Sequence, residues 1–134
     1  MSIILKSLTL STDGRFRDAS TIKSPNEVFN QITKANVIMT LYQVPVSTSG
    51  LVNNIRVINT HSAAVSFSLY FNRPDASGNT RRRLLLPLGI SLPPNFVLYE
   101  DLELSMEAGD SLEAQASVGN VLHLIISGCE RSLI

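Results

Sequence analysis

The fold class of this chain is indicated most clearly by the stretch Ala63-Ala-Val-Ser-Phe-Ser-Leu-Tyr-Phe-Asn72. Every second residue from Val65 to Phe71 is a large apolar residue, and the residues between them are small or polar, apart from Tyr70. An alternation with period two sends one set of side chains into a core and the other set to an outer face. The stretch therefore predicts a β-strand with one buried face, whose other face meets water or a partner.

Similar short segments lie on both sides of this strand. Residues 51–59 alternate in the same way, and the turn-rich link Asn59-Thr60-His61-Ser62 predicts a β-hairpin with the strand that follows. Short strands separated by turns are typical of sandwiches and barrels, so we predict an all-β, antiparallel, jelly-roll-like sandwich of about eight strands. The other predicted strands are residues 37–44, 81–87, 96–100, 102–106, 111–117 and 120–128, with residues 3–10 as a candidate strand.

The first 35 residues lack this regular pattern, and we predict that they form an N-terminal arm. Ser24-Pro25-Asn26-Glu27 has the form of a capping box with proline at the first helical position. This motif predicts a short helix at residues 25–34, and an irregular loop is the alternative for so short a segment. The length of 134 residues fits one domain, which we assign to residues 36–134.

The composition excludes several classes of function. Lys plus Arg and Asp plus Glu both number 11, so net charge does not steer the whole chain to nucleic acid or membranes. Only 16% of residues are charged, against about 25% in an average domain, which fits a surface covered by partners. One cysteine excludes an internal disulfide framework. The N-terminal MSIILKSLTL is too short for a signal peptide and no apolar run could span a bilayer, so we expect synthesis in the cytoplasm.

The residues that could carry chemistry are few. His61 lies in a predicted turn, His123 lies on the polar side of the last predicted strand, and Cys129 fits a small, half-buried apolar position. The chain has no nucleophile elbow, calcium loop or phosphate-binding glycine motif. We therefore predict a protein that is not an enzyme, with no catalytic residue, cofactor or metal ligand.

A cluster of arginines is the most distinctive charged feature. Four of them flank the turn-rich residues 74–80, which places four guanidinium groups near one sheet edge. Few aromatic residues are interleaved with them, which disfavours nucleic acid. We predict that they pair with carboxylates of a neighbouring subunit or of this chain. The candidate partner contacts are Arg15, Arg17, Arg73, Arg81, Arg82 and Arg83.

The order of several strand and turn motifs resembles a known group of proteins, the small β-sandwich proteins of tailed-bacteriophage virions. The resemblance extends from residue 37 to residue 130 and departs from the family pattern at Val46-Ser47-Thr48 and throughout the first 35 residues. The motifs that carry it are Leu41-Tyr42-Gln43-Val44-Pro45, residues 51–60, residues 65–70, Leu102-Glu103-Leu104, Glu107-Ala108-Gly109-Asp110-Ser111-Leu112, residues 121–128 and Cys129-Glu130.

The resemblance implies a non-enzymatic virion protein that bridges capsid subunits as a homo-oligomer, a capsid decoration or cement protein. Its partners would be further copies of itself and other virion proteins such as the major capsid protein. It also implies that Asn59-Thr60 closes the predicted hairpin and that Gly109-Asp110 makes the turn before the penultimate strand. Alternatives are a tail, neck or baseplate component, or a jelly-roll module that binds glycans or a receptor.

Overall fold

Nine strands lie in the part of the chain that the computed structural model describes, namely residues 32–133 and the backbone of residues 3–7. The strands are β1 (Ile3–Ser7), β2 (Met39–Gln43), β3 (Thr48–Asn59), β4 (Val65–Asn72), β5 (Arg82–Leu84), β6 (Ile90–Leu92), β7 (Val97–Met106), β8 (Ser111–Ala116) and β9 (Leu122–Ser132).

The strands form two antiparallel sheets. The first sheet has the order β1-β9-β3-β7, and the second has the order β2-β8-β4, with β5 and β6 paired one after the other along the outer edge of β4. Apart from β4, β5 and β6, which share a sheet, successive strands alternate between the two sheets. This connectivity is that of a jelly roll, and the predicted antiparallel β-sandwich is confirmed.

The core lies between the two sheets. The predicted buried face of β4 is confirmed for Val65, Phe67 and Leu69, which are fully buried. Ile32, which precedes β2, is also buried in this core. The first sheet contributes Val52, Ile55, Val57, Leu122, Leu124 and Ile126, and the second adds Leu41, Tyr42, Leu112, Ala114 and Ala116.

The predicted hairpin between β3 and β4 is wrong. β3 pairs with β7 and β9 in the first sheet, whereas β4 pairs with β8, β5 and β6 in the second. Residues 60–64 therefore cross from one sheet to the other. At this crossing the Thr60 backbone N–H and hydroxyl both donate to the Val121 carbonyl, at 2.9 and 2.6 Å. A period-two pattern cannot distinguish a strand's neighbour in the chain from its neighbour in the sheet.

Two bulges change the register in the first sheet. One extra residue of β3, Asn53, lies between Val52 and Asn54 opposite β9, so that Val52 is buried and Leu51 is partly exposed. The simple alternation had grouped Leu51 with the core residues Ile55 and Val57, and the bulge reverses that assignment.

The second bulge explains why two strands were predicted at residues 96–106. β7 is a single strand in which Glu103 has a φ of +44°, which locally interrupts its pairing with β3. Elsewhere the predicted strand 81–87 is limited to β5, and the three-residue β6 has no counterpart among the predicted strands. Strands of three residues are too short to show a period.

The N-terminal segment contributes one strand to the sandwich. β1 pairs with the end of β9, with Ile3 opposite Arg131 and Ser7 opposite Ser127. The predicted arm, including Arg15 and Arg17, and most of the predicted helix 25–34 lie outside the described residues. Within residues 3–7 and 32–133, no helix is long and apolar enough to cross a bilayer.

Candidate interaction surface

Arg73, the first residue of the predicted arginine cluster, forms an ion pair within the chain. Its Nε lies 3.1 Å from both carboxylate oxygens of Asp110, and its Nη2 donates to Oδ2 at 2.8 Å. The guanidinium carbon also lies 5.4 Å from the ring centre of Phe71. The hydrogen bonds to Asp110 raise the pKa of Arg73 above its ordinary value. This arginine links the end of β4 to the start of β8.

Two more arginines of the cluster are paired in the same way. Arg82 Nε donates to Glu113 Oε1 at 2.7 Å across the second sheet, and Arg81 Nη2 donates to Asp75 Oδ2 at 3.2 Å. Arg83 is exposed and has no ion-pair partner within residues 32–133. Of the two alternatives predicted for these arginines, pairing within the chain is the one observed for Arg73, Arg81 and Arg82.

The loop between β4 and β5 is closed by its own acidic residue. Asp75 Oδ1 accepts the backbone N–H groups of Ser77 and Asn79, at 3.0 and 2.9 Å. The Asn79 bond is the main cause of a lowered Asp75 pKa. These bonds and the ion pair with Arg81 engage both oxygens of the carboxylate, so the loop is a closed turn.

Asp110 organises the turn between β7 and β8. Besides Arg73, it accepts the backbone N–H of Glu107 at 2.7 Å, and its own N–H donates to the Glu107 carbonyl. Gly109 has a φ of +90°, which glycine adopts without steric cost. The Gly109 N–H and the Asp110 carbonyl both bond to Val44. The turn that the resemblance assigns to Gly109-Asp110 is therefore present.

Asn59 is a second buried polar centre, at the opposite end of β3. Its Nδ2 lies 3.0, 2.9 and 3.2 Å from the carbonyl oxygens of Ala63, Leu92 and Pro93, respectively. Its Oδ1 accepts the His61 backbone N–H at 2.8 Å. A buried amide with this many partners joins three chain segments, and its role is structural.

A buried tyrosine and glutamate join the two sheets. The Tyr42 hydroxyl of β2 donates to Glu130 Oε2 of β9 at 2.7 Å, and both residues are buried. Burial, and then the bond to Glu130, raise the pKa of Tyr42 far above its ordinary range. The sequence carries no signal for this pair, because the two residues are 88 positions apart.

Among residues 32–133, the outer face of the first sheet carries several exposed apolar side chains on neighbouring strands. We call its central part the Tyr99 face, and it contains Ile58, Val97, Tyr99 and Ile125 around Arg56. The register places Arg56 directly between Tyr99 of β7 and Ile125 of β9, and Ile58 between Val97 and His123. Val97, Tyr99 and Ile125 are each more than a third exposed.

Two shallow grooves also lie on this outer surface of the first sheet. One, of about 340 Å³, is lined by Asn54, Arg56, Tyr99, Ile125 and Ser127. The other, of about 390 Å³, lies nearer the turn at Asp110 and includes Leu51, Cys129, Arg73 and Arg131 in its lining. The Arg56 guanidinium carbon lies 5.6 Å from the centre of the Tyr99 ring, over one of its two faces.

The outer face of the second sheet is different, because the chain partly covers it. The sequence predicted that Ala64, Ser66, Ser68 and Tyr70 form one outward face of β4, but Ser68 is buried. The Gly89 N–H donates to the Ser68 hydroxyl at 2.9 Å, so the segment between β5 and β6 lies over this part of the face.

The two histidines and the cysteine lie in the crossing between the sheets and on β9. His61 lies in the crossing after Asn59, His123 alternates with the buried Leu122 and Leu124 on β9, and Cys129 is a half-buried free thiol. Across residues 32–133 and the β1 backbone, no group of three or more histidine, cysteine or acidic residues could hold a metal ion.

A scan against protein-family models and a search of curated proteins gave no match for this chain.

Proposed function

We propose that this chain is a non-enzymatic structural protein of a tailed-bacteriophage virion, a capsid decoration or cement protein that bridges subunits of the shell. In this proposal the protein resides in the virion after synthesis in the host cytoplasm. Its partners are other copies of itself and the major capsid protein, and it needs no cofactor.

The roles of the motif residues support this proposal. Asn59 and Asp110 belong to motifs that carry the resemblance to phage virion proteins, and both are buried centres of backbone hydrogen bonds. Residues with such roles preserve a scaffold and contribute nothing to chemistry at a site. Proteins related by these motifs would therefore have the β-sandwich fold in common, without a common catalytic activity.

The observation that carries the proposal is the distribution of charge and apolar surface. Arg73 and Arg82 are neutralised by Asp110 and Glu113 of the same chain, while the Tyr99 face exposes aliphatic and aromatic side chains. Uncharged side chains lose little hydration energy when a partner covers them, in contrast to unpaired charges. Such a surface suits permanent contact with protein neighbours.

Removal of the protein from the particle tests this function. A phage that lacks the gene for this protein should still form particles, but these should release their DNA at a lower temperature than wild-type particles. Purified protein added to them should restore the wild-type temperature. Equal release temperatures with and without the protein would contradict a cementing role. Failure to assemble a tail would instead favour the tail, neck or baseplate alternative.

The glycan-binding alternative has a separate test. A lectin site needs an accessible aromatic face for stacking on the sugar ring, and Arg56 already lies over Tyr99. We therefore expect a glycan array to show no selective binding, and a selective signal lost in Tyr99→Ala would favour the alternative.

A further inference from the structure

We infer that the Tyr99 face is the contact surface for a second copy of this chain, packed face to face around a two-fold axis. The inference rests on the proposed function, because a protein that bridges neighbouring subunits needs a defined contact between its own copies. The inference specifies the surface through which two copies bind and the symmetry that relates them.

The apolar side chains of the face are arranged in rows across three strands. Val97, Ile58 and His123 form one row, and Tyr99, Arg56 and Ile125 form the next, because each set is directly opposed in the register of β7, β3 and β9. Cross-strand rows of this kind form a continuous surface, and the faces of two sheets pack on each other at about 10 Å in β-sandwiches.

The charges of the face are complementary under a two-fold rotation. Arg56 and Asp101 lie on neighbouring strands, two residues apart in register. Arg56 lies over the Tyr99 ring and Asp101 is hydrogen-bonded to Tyr99, but neither forms an ion pair within the described part of the chain. An isologous contact brings residue i of one copy to residue j of the other and repeats that contact by symmetry. Arg56 of each copy can therefore face Asp101 of its partner, which gives two ion pairs per dimer.

The net charge favours a second copy as the occupant. The chain carries 11 basic and 11 acidic residues, so two copies approach each other without net repulsion. Proteins with net charge near zero associate more readily than strongly charged ones. A partner with strong net charge, such as a nucleic acid, would gain little from a face that has one basic and one acidic side chain.

The edge of the same sheet favours face-to-face contact over strand addition. β7 is one of the two edge strands of this sheet, the one beside the Tyr99 face, and it carries Glu100, Asp101 and Glu103 together with the bulge at Glu103. Charged residues and bulges on an edge strand are the common means of preventing edge-to-edge pairing. On this side of the sheet, strand addition at β7 is therefore disfavoured and contact through the face is favoured.

Sedimentation velocity of the full chain under reducing conditions tests the inference, with a matched pair of variants. Val97 on the face and Leu84 on β5 of the second sheet are both 49% exposed. We expect wild type and Leu84→Lys to be dimers at micromolar concentration. Val97→Lys should raise the dimer dissociation constant at least about tenfold, because a buried lysine without a partner is costly. Ile125→Lys replaces Val97→Lys if circular dichroism shows that the latter does not fold.

Charge reversal tests the orientation of the two copies. Arg56→Asp and Asp101→Arg should each weaken the dimer, and the double variant should restore it, because the ion pairs re-form with opposite polarity. A monomeric wild type, or equal effects of Val97→Lys and Leu84→Lys, would overturn the inference. The proposed function is contradicted by different results. These are the absence of the protein from purified particles, or equal DNA-release temperatures with and without it, and neither depends on whether the protein is a dimer in solution.

Discussion

Buried polar side chains fix the ends of the strands in this protein. Asn59 bonds three carbonyl groups and one N–H at the crossing between the sheets, and Asp110 holds the turn at the other end of the sandwich together with Arg73. Each bond satisfies a backbone group or charge that would otherwise be buried without a partner. These residues therefore determine where the chain changes sheets, although they contribute no apolar surface.

Replacement of Asn59 tests this role. Asn59→Ala leaves the carbonyl groups of Leu92 and Ala63 and the His61 N–H without their side-chain partner. We expect a loss of about 3 kcal/mol in the free energy of unfolding, since each unsatisfied buried group costs about 1–3 kcal/mol. Urea denaturation measures it, with Asn54→Ala on the outer face as the control that changes stability little. Equal urea midpoints for Asn59→Ala and Asn54→Ala would show that the hydrogen bonds of Asn59 do not stabilise the fold.

The strands themselves show what the sequence could and could not predict. The buried alternation of Val65, Phe67 and Leu69 is a local property, so β4 and the all-β class followed from the sequence. The hairpin prediction failed because pairing is decided by contacts distant in sequence. The bulges at Asn53 and Glu103 shift the period by one residue, and no turn-forming glycine marks either position.

At the scale of an element, Gly119 anchors the chain segment that precedes β2. A Cβ added there would lie 2.5 Å from the Thr33 carbonyl oxygen, and the neighbouring Asn120 N–H donates to the Ile32 carbonyl at 2.8 Å. Gly119→Ala should push this segment away and partly expose the buried Ile32. We expect a loss of about 2 kcal/mol or more in unfolding free energy, in the range of other core disruptions.

A thermal melt compares Gly119→Ala with Gly78→Ala, whose added Cβ meets no atom within 4 Å although its φ is +84°. The loss in melting temperature of Gly78→Ala gives the cost of backbone strain in an open loop. Any larger loss in Gly119→Ala gives the cost of the close approach to Thr33. A smaller loss in Gly119→Ala than in the control would contradict this anchoring role.

The described part of the molecule combines charges that are paired within the chain with an apolar outer face on the first sheet. The low charged fraction of the sequence predicted surfaces that suit partners, and the arginine pattern predicted ion pairs, which lie within this chain for Arg73, Arg81 and Arg82. The sequence pointed to β4 for the uncharged outer face. The Tyr99 face could not be predicted, because it depends on the register of three strands, β3, β7 and β9, whose face residues extend from Arg56 to Ile125.

The copy number of this protein in purified particles tests the proposal that the sandwich is a shell component of a phage particle. Quantitative mass spectrometry against the major capsid protein should give on the order of hundreds of copies per particle, because shell symmetry repeats each site many times. A ratio equivalent to about six or twelve copies would place the protein in the tail, neck or baseplate, as closed rings require. Its absence from purified particles would contradict a virion role altogether.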